Sequence, residues 1–261
     1  MPPPRRAGQW LWNRPVDAPP RGRRDPARDG RAVPSGARLE IAACHGLEFA
    51  TASQAGQGTE RSSAARMDHR TMADSKKNAR RWKAWVLFQD ESGVTERPSV
   101  RRTWAPKGET PVLIHAFNWK KLSICAALGY RWDGRSSRLW FQFRPGSYDG
   151  ESLIGFLRDL KRHLRKQRAI LIWDGLPAHK SRPMKAYLES QQDWLRVEVL
   201  PGYSPDLNPV ESLWGNIKGQ ELANRCVTGL GEAEAAVQGG MERVRHSSLP
   251  FGFLHHAGVS F

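Results

Sequence analysis

Five consecutive apolar residues, Ala169 to Trp173 (AILIW), stop abruptly at Asp174-Gly175. A strand with one wet face alternates apolar with polar residues, so an unbroken run describes a strand covered on both faces, most often by helices. Just upstream, Leu153, Phe156, Leu157, Leu160 and Leu164 share one helical stripe, while Arg158, Lys161, Arg162 and Arg165 gather on another. That is an amphipathic helix with a basic outer face, and the two elements together point to an α/β architecture.

Further elements fit the same plan. Trp82 to Asp90 is a β-rich run that closes on the turn residues Asp90, Ser92 and Gly93, and it reads as a second buried strand. Strands over Leu122 to Tyr130 and Arg138 to Phe143 flank Asp133-Gly134, a hairpin signal. A helix is expected from about Pro183 to Gln191 and a short strand from about Leu195 to Leu200. A second helix opens at Asn208-Pro209, where asparagine caps, proline suits the first helical position, and Val210, Leu213, Trp214 and Ile217 keep the i, i+3, i+4, i+7 spacing. The result is a mixed sheet with helices on its faces. The apolar tail 249–261 (LPFGFLHHAGVSF) is expected to dock on this core, giving an ordered and complete C-terminus.

The net charge of +15 over 261 residues implies a polyanionic partner, since lysine and arginine gain by displacing counterions from phosphates. Cys44, Cys125 and Cys226 are far apart and lack metal-ligand spacing, which argues against a disulfide framework and against structural zinc. No window approaches eighteen apolar residues and no secretory signal is visible, so a cytoplasmic protein with no membrane partner is expected.

Cutting a phosphodiester calls for an activated oxygen in line with a leaving oxygen, and two divalent ions can serve both. Mg²⁺ keeps several waters and takes only one or two protein carboxylates plus phosphate oxygens. Asp90 and Asp174 each end an apolar strand, at the edge where open α/β sheets place ligands, and Glu211 arrives in the first turn of the Pro209 helix. Each has a simpler explanation alone: turn chemistry for the aspartates, and a capping box with Asn208 for Glu211.

Four stretches carry a resemblance: FQDESG (88–93), RRTWAPKGETPVL (101–113), IWDGLPAHKS (172–181) and LPGYSPDLNPVESLWGNIK (200–218). They resemble the DDE transposases of the mariner superfamily, specifically its bacterial insertion-sequence 630 branch, over residues 76–261. The 36 residues between Asp174 and Glu211 match the spacing of such enzymes. The resemblance implies a ribonuclease-H-like fold and two Mg²⁺ or Mn²⁺ ions held by Asp90, Asp174 and Glu211. It also implies cleavage of double-stranded DNA at transposon ends, strand transfer into a TA target, and a homodimer when active. Lys218, two turns after Glu211, is a candidate phosphate contact or a solvated lysine. His179, in DGLPAHKS, is a contact to metals or phosphate, or a turn-capping or packing histidine. The stripe Arg158, Lys161, Arg162 and Arg165 is a DNA track or an ordinary wet helix face. Trp104 and Pro106 are candidates for a rigid hairpin facing DNA or a second subunit.

Residues 1–75 are rich in Pro, Arg, Gly, Ala and Ser with no sustained period, and are expected to be largely disordered, a short helix over 39–49 aside. They resemble none of the helix-turn-helix modules that precede the catalytic domain in such transposases. Met67-Asp68 and Met72-Ala73 are both ATG followed by G, so reading one base later gives tryptophan at both places. A shifted reading frame upstream of about Ser75 would account for the composition, the alternative being a natural disordered basic arm that touches DNA non-specifically, and the catalytic domain is expected over 76–261. The competing reading is a catalytically silent DNA-binding remnant that regulates or poisons the full-length enzyme.

Overall fold

The computed structural model describes residues 16–17, 74–104, 107, 112–113, 120–201 and 204–259. The expected disorder and shifted frame of 1–75 fall, apart from 16–17 and 74–75, outside the described residues, as do the short helix over 39–49 and Pro106.

One mixed sheet organises the chain, with strand order β1-β4-β3-β2-β5-β6. Its strands are β1 (Val16–Asp17), β2 (Trp85–Thr95), β3 (Lys121–Tyr130), β4 (Ser136–Pro145), β5 (Ala169–Trp173) and β6 (Leu195–Val199). β2, β3 and β4 form an antiparallel meander, and the two-residue β1 pairs with the start of β4. β5 adds to β2 in parallel and β6 adds to β5 in parallel. The hairpin turns at Asp133-Gly134 as expected: Gly134 takes φ 68°, a value glycine accepts freely, and Arg131 N–H donates to Ser136 O at 2.9 Å.

Alternation along the strands divides the core between the two faces. Val86, Phe88, Ile170 and Ile172 pack on one face with Val210, Leu213, Trp214 and Ile217 of α4 (Pro209–Gln220), with Val237 and Met241 of α5 (Leu230–Arg245), and with Phe253 and Leu254 of α6 (Leu249–His256). Trp85, Leu87, Leu171 and Trp173 pack on the other with Leu153, Phe156, Leu157, Leu160 and Leu164 of α2 (Gly150–Leu164) and Met184 of α3 (Arg182–Glu189). The AILIW strand is therefore covered on both sides, all five residues buried. The tail docks through α6, where Tyr130 Oη donates to Pro250 O at 2.6 Å.

Two boundaries differ from the sequence reading. Trp82 does not begin the strand: it ends α1 (residues 74–82), which closes with Ala84 N–H on Ala79 O at 2.9 Å and a left-handed Lys83, φ 52°. Its indole instead receives the Arg196 guanidinium 3.2 Å from the ring centroid. Nor does β2 stop at Asp90. It runs on to Thr95 because β3 pairs with it for ten residues, from Val86 opposite Tyr130 to Thr95 opposite Lys121. The Asp-Glu-Ser-Gly sequence resembles a turn, and the partner strand overrides that local preference.

Candidate active site

The parallel register positions the two aspartates. The last β2–β5 pair is Phe88 opposite Ile172, and Asp90 and Asp174 each follow two residues later in the chain. Asp90 keeps the parity of Val86 and Phe88, on the face beneath α4. Asp90 thus lies inside a strand that pairs on with β3, yet at the carboxyl end of the parallel pair.

Helix α4 supplies the third carboxylate. Asn208 caps it by accepting Val210 N–H at 3.1 Å, and Pro209 occupies the first turn. A reciprocal capping box does not form: the Asn208 amide donates to Pro205 O at 2.9 Å, so it does not need the exposed Glu211 side chain. One turn on, the buried Trp214 donates its indole N–H to Asp90 Oδ2 at 2.9 Å. The i, i+3 spacing of Glu211 and Trp214 thereby draws the helix start toward Asp90. Burial pushes the Asp90 carboxyl up to about 7, the charges of Glu211 and Glu91 add to the rise, and the Trp214 hydrogen bond opposes it.

Asp174 is held by a different set of groups. His179 Nδ1 lies 3.0 Å from its Oδ1 and 2.8 Å from its backbone carbonyl. The imidazole is buried and stacks flat on Trp173, with centroids 4.1 Å apart and an interplanar angle of 1°. Its Nε2 sits 3.5 Å from Glu91 Oε1, an ion-pair distance longer than a good hydrogen bond. Glu91 Oε1 in turn accepts Gln89 Nε2 at 2.6 Å. Burial works against the imidazolium, but Asp174 and Glu91 outweigh it and raise His179 to about 9. Burial likewise works against the Asp174 carboxylate, and bonds from His179 and Leu176 with the charges of His179 and Lys180 bring it below the usual range.

The structure thus bonds Asp90 to Trp214 with Glu211 near it, and links Asp174 through His179 to Glu91. Among the described residues no three acidic, histidine or cysteine side chains close on a single point. A hard divalent cation needs only one or two protein carboxylates beside waters and phosphate oxygens, so pairs of carboxylates here fit such ions. Burial first, with the charges of Glu211 and Glu91 adding to it, raises Asp90, and a bound cation would oppose all three.

The other candidates lie apart. Lys218 is in the last turn of α4, seven residues from Glu211 and so about 10 Å along the axis. α2 covers the opposite face of the sheet, and three of its four basic residues have partners there. Arg158 sits over Tyr187, Lys161 bonds Gln191 Oε1 at 2.8 Å, and Arg162 pairs with Asp159 at 2.7 Å. Arg165 caps the helix with φ 46°. Trp104 is 98% exposed. Sequence reasoning misses Glu91 and Trp214, because the first resembles turn chemistry and the second resembles core.

The sequence profile of the DDE superfamily endonucleases matches residues 85–229, more than half of the chain, and the chain belongs to that family. No curated protein matches by sequence. Among solved structures, the mariner Mos1 paired-end complex with Mg is similar at TM-score 0.53 and 16% identity, covering 84% of this chain and 65% of that one. A Mos1 paired-end complex with the left transposon end follows at 0.49 and 18%, covering 82% and 66%. The Mos1 catalytic domain gives 0.39 and 19%, covering 76% and 96%. The first likeness shows the fold, a ribonuclease-H-like mixed sheet flanked by helices. The chain spans just under two thirds of the length of the Mos1 chain in that complex. Among the described residues no helix is long and apolar enough to cross a membrane.

Proposed function

We propose that this chain is a transposase of the insertion-sequence 630 branch that cuts double-stranded DNA at transposon ends and joins the freed ends to target DNA. The observation that supports this reading is that Asp90 and Asp174 each follow by two residues the last β2–β5 pair, Phe88 and Ile172, while the charge of Glu211 from α4 acts on Asp90. Family membership and the net charge of +15 support it.

Asp90, Asp174 and Glu211 would hold two Mg²⁺ or Mn²⁺ ions, which when bound polarise the scissile phosphate, activate the attacking oxygen and stabilise the leaving one. The rest belongs to the chain. Trp214 fixes the direction of Asp90 through one carboxylate oxygen. His179, clamped on Trp173, anchors Asp174. Such fixed ligands keep the site organised before DNA arrives. Residues 76–261 act as the catalytic domain, residues 1–75 come from a shifted frame, and the active form is a homodimer in the cytoplasm, on the nucleoid when DNA is bound.

The test is nicking of supercoiled plasmid by purified protein with Mg²⁺ or Mn²⁺, beside Asp174→Ala. Metal-dependent nicking by the parent and none by the variant is expected. Equal nicking by both, or none from folded parent protein, overturns the reading.

A further inference from the structure

The end of the sheet opposite the carboxylates is basic, and its charge is built into the fold. Five residues of strand, roughly 16 Å, separate Trp85 at the start of β2 from Asp90. At this far end the β3–β4 turn brings in Arg131 and Arg138, while α2 returns from the carboxylate edge and stops at Arg165.

Arg138 is held in place. Its guanidinium lies 4.7 Å from the Trp85 ring centroid, and Trp85 is fixed by its own indole bond to Gln167 Oε1 at 2.8 Å. Arg138 Nε is buried without a hydrogen-bond partner. Burial and the neighbouring charges of Arg165 and Arg131 lower the Arg138 pKa, so three guanidinium groups repel one another here. Arg165 and Lys166 are consecutive left-handed residues, φ 46° and 65°, that carry two exposed cations to this end. Among the described residues, the carboxylate paired with them is Asp133, 3.4 Å from Arg131. Across the sheet, Arg168 and Arg196 lie over the Trp82 ring at 5.5 and 3.2 Å.

Rigid cations that outnumber nearby carboxylates gain most from phosphates, which replace repulsion with bidentate bonds. We propose that this end of the sheet is a second DNA-contact surface, where Arg131, Arg138 and Arg165 hold backbone phosphates of a duplex segment other than the one at the carboxylates. The inference rests on the DNA-cutting reading above. The two surfaces lie at opposite ends of the strands, roughly 16 Å apart along β2. The surface holds phosphates and reads no sequence.

The test measures binding of a labelled duplex several turns long, in EDTA so that nothing is cut, across a range of salt. The variants are Arg131→Gln/Arg165→Gln, the same pair with Arg138→Gln, and a control that removes three exposed charges elsewhere, Lys120→Gln/Lys121→Gln/Lys185→Gln. Urea midpoints establish that each is folded, and the first variant leaves the Arg138–Trp85 stack intact. The salt slope is expected to fall by roughly 0.9 for each phosphate that a variant no longer neutralises, so by up to nearly three in the triple variant, and by less in the control. Equal slopes for parent and triple variant, or an equal fall in the control, overturn the second surface and leave the cutting reading standing. A parent with no salt-dependent binding overturns both.

Discussion

Replacing Asp90 with asparagine is expected to stabilise the metal-free protein at high pH, because the side chain that serves the site is a liability to the fold. Asp90 is raised from 3.8 to about 7 by burial first and by Glu211 and Glu91 next. A carboxyl whose folded pKa is raised contributes fully below its unfolded value, and that contribution is lost as pH rises through the folded one. The window is therefore about pH 4 to 7. At roughly 1.4 kcal/mol per unit, a shift of about three units sets a ceiling near 4 kcal/mol. Asp90 is only partly shielded from water, so about 1 to 3 kcal/mol is expected. Asparagine keeps an acceptor for the Trp214 indole and removes the charge. Urea unfolding in EDTA should show Asp90→Asn more stable than the parent at pH 8 and equal to it near pH 4, with Mn²⁺ closing the gap at pH 8 by stabilising the parent alone. Parallel pH–stability curves for the two proteins would refute the reasoning.

Other consequences follow from single contacts. Trp214→Phe removes an indole bond that favours charged Asp90, a charge-assisted bond of about 1.5 to 3 kcal/mol, so the Asp90 transition, followed by carboxyl NMR, should move up by about one to two units. His179, raised to about 9, stabilises the fold below its ordinary 6.5 and loses that contribution as pH rises through 9. The parent should therefore lose stability over that window and His179→Ala should not, in urea melts. Gly129→Ala sets a Cβ 2.5 Å from Trp140 Cζ3 and 2.8 Å from Leu87 Cδ2, and overpacking of that kind should cost about 1 to 3 kcal/mol by the same method.

The parts of the fold with a strong period were legible in the sequence. AILIW gave away a strand covered on both faces, the leucine stripe of α2 buries as its spacing requires, and Asn208-Pro209 starts α4. α5 was not legible, because its sequence is rich in glycine and alanine and its packing on α4 depends on small size: a Cβ at Gly240 would lie 2.8 Å from Ile217 Cδ1. Tertiary pairing decided what local preference could not, carrying β2 through Asp90-Glu91-Ser92-Gly93. Of the proposed site, Asp90, Asp174 and Glu211 were read from two strand ends, a helix start and the resemblance to DDE transposases. Glu91 was hidden, since its link to His179 crosses from one strand to the turn that follows another and leaves no trace in spacing. Trp214 fits the apolar stripe of α4, and nothing in a stripe shows that an indole N–H at its edge meets a carboxylate.

Titration of Mn²⁺ into the metal-free protein, read by calorimetry and by the paramagnetic resonance of the free ion, tests most directly whether these carboxylates hold the divalent ions. The parent should bind Mn²⁺, Asp90→Ala and Glu211→Ala should each weaken the same binding, and Asp174→Ala should abolish at least one bound ion. A folded triple variant lacking all three carboxylates that binds Mn²⁺ as the parent does would contradict the assignment of the site.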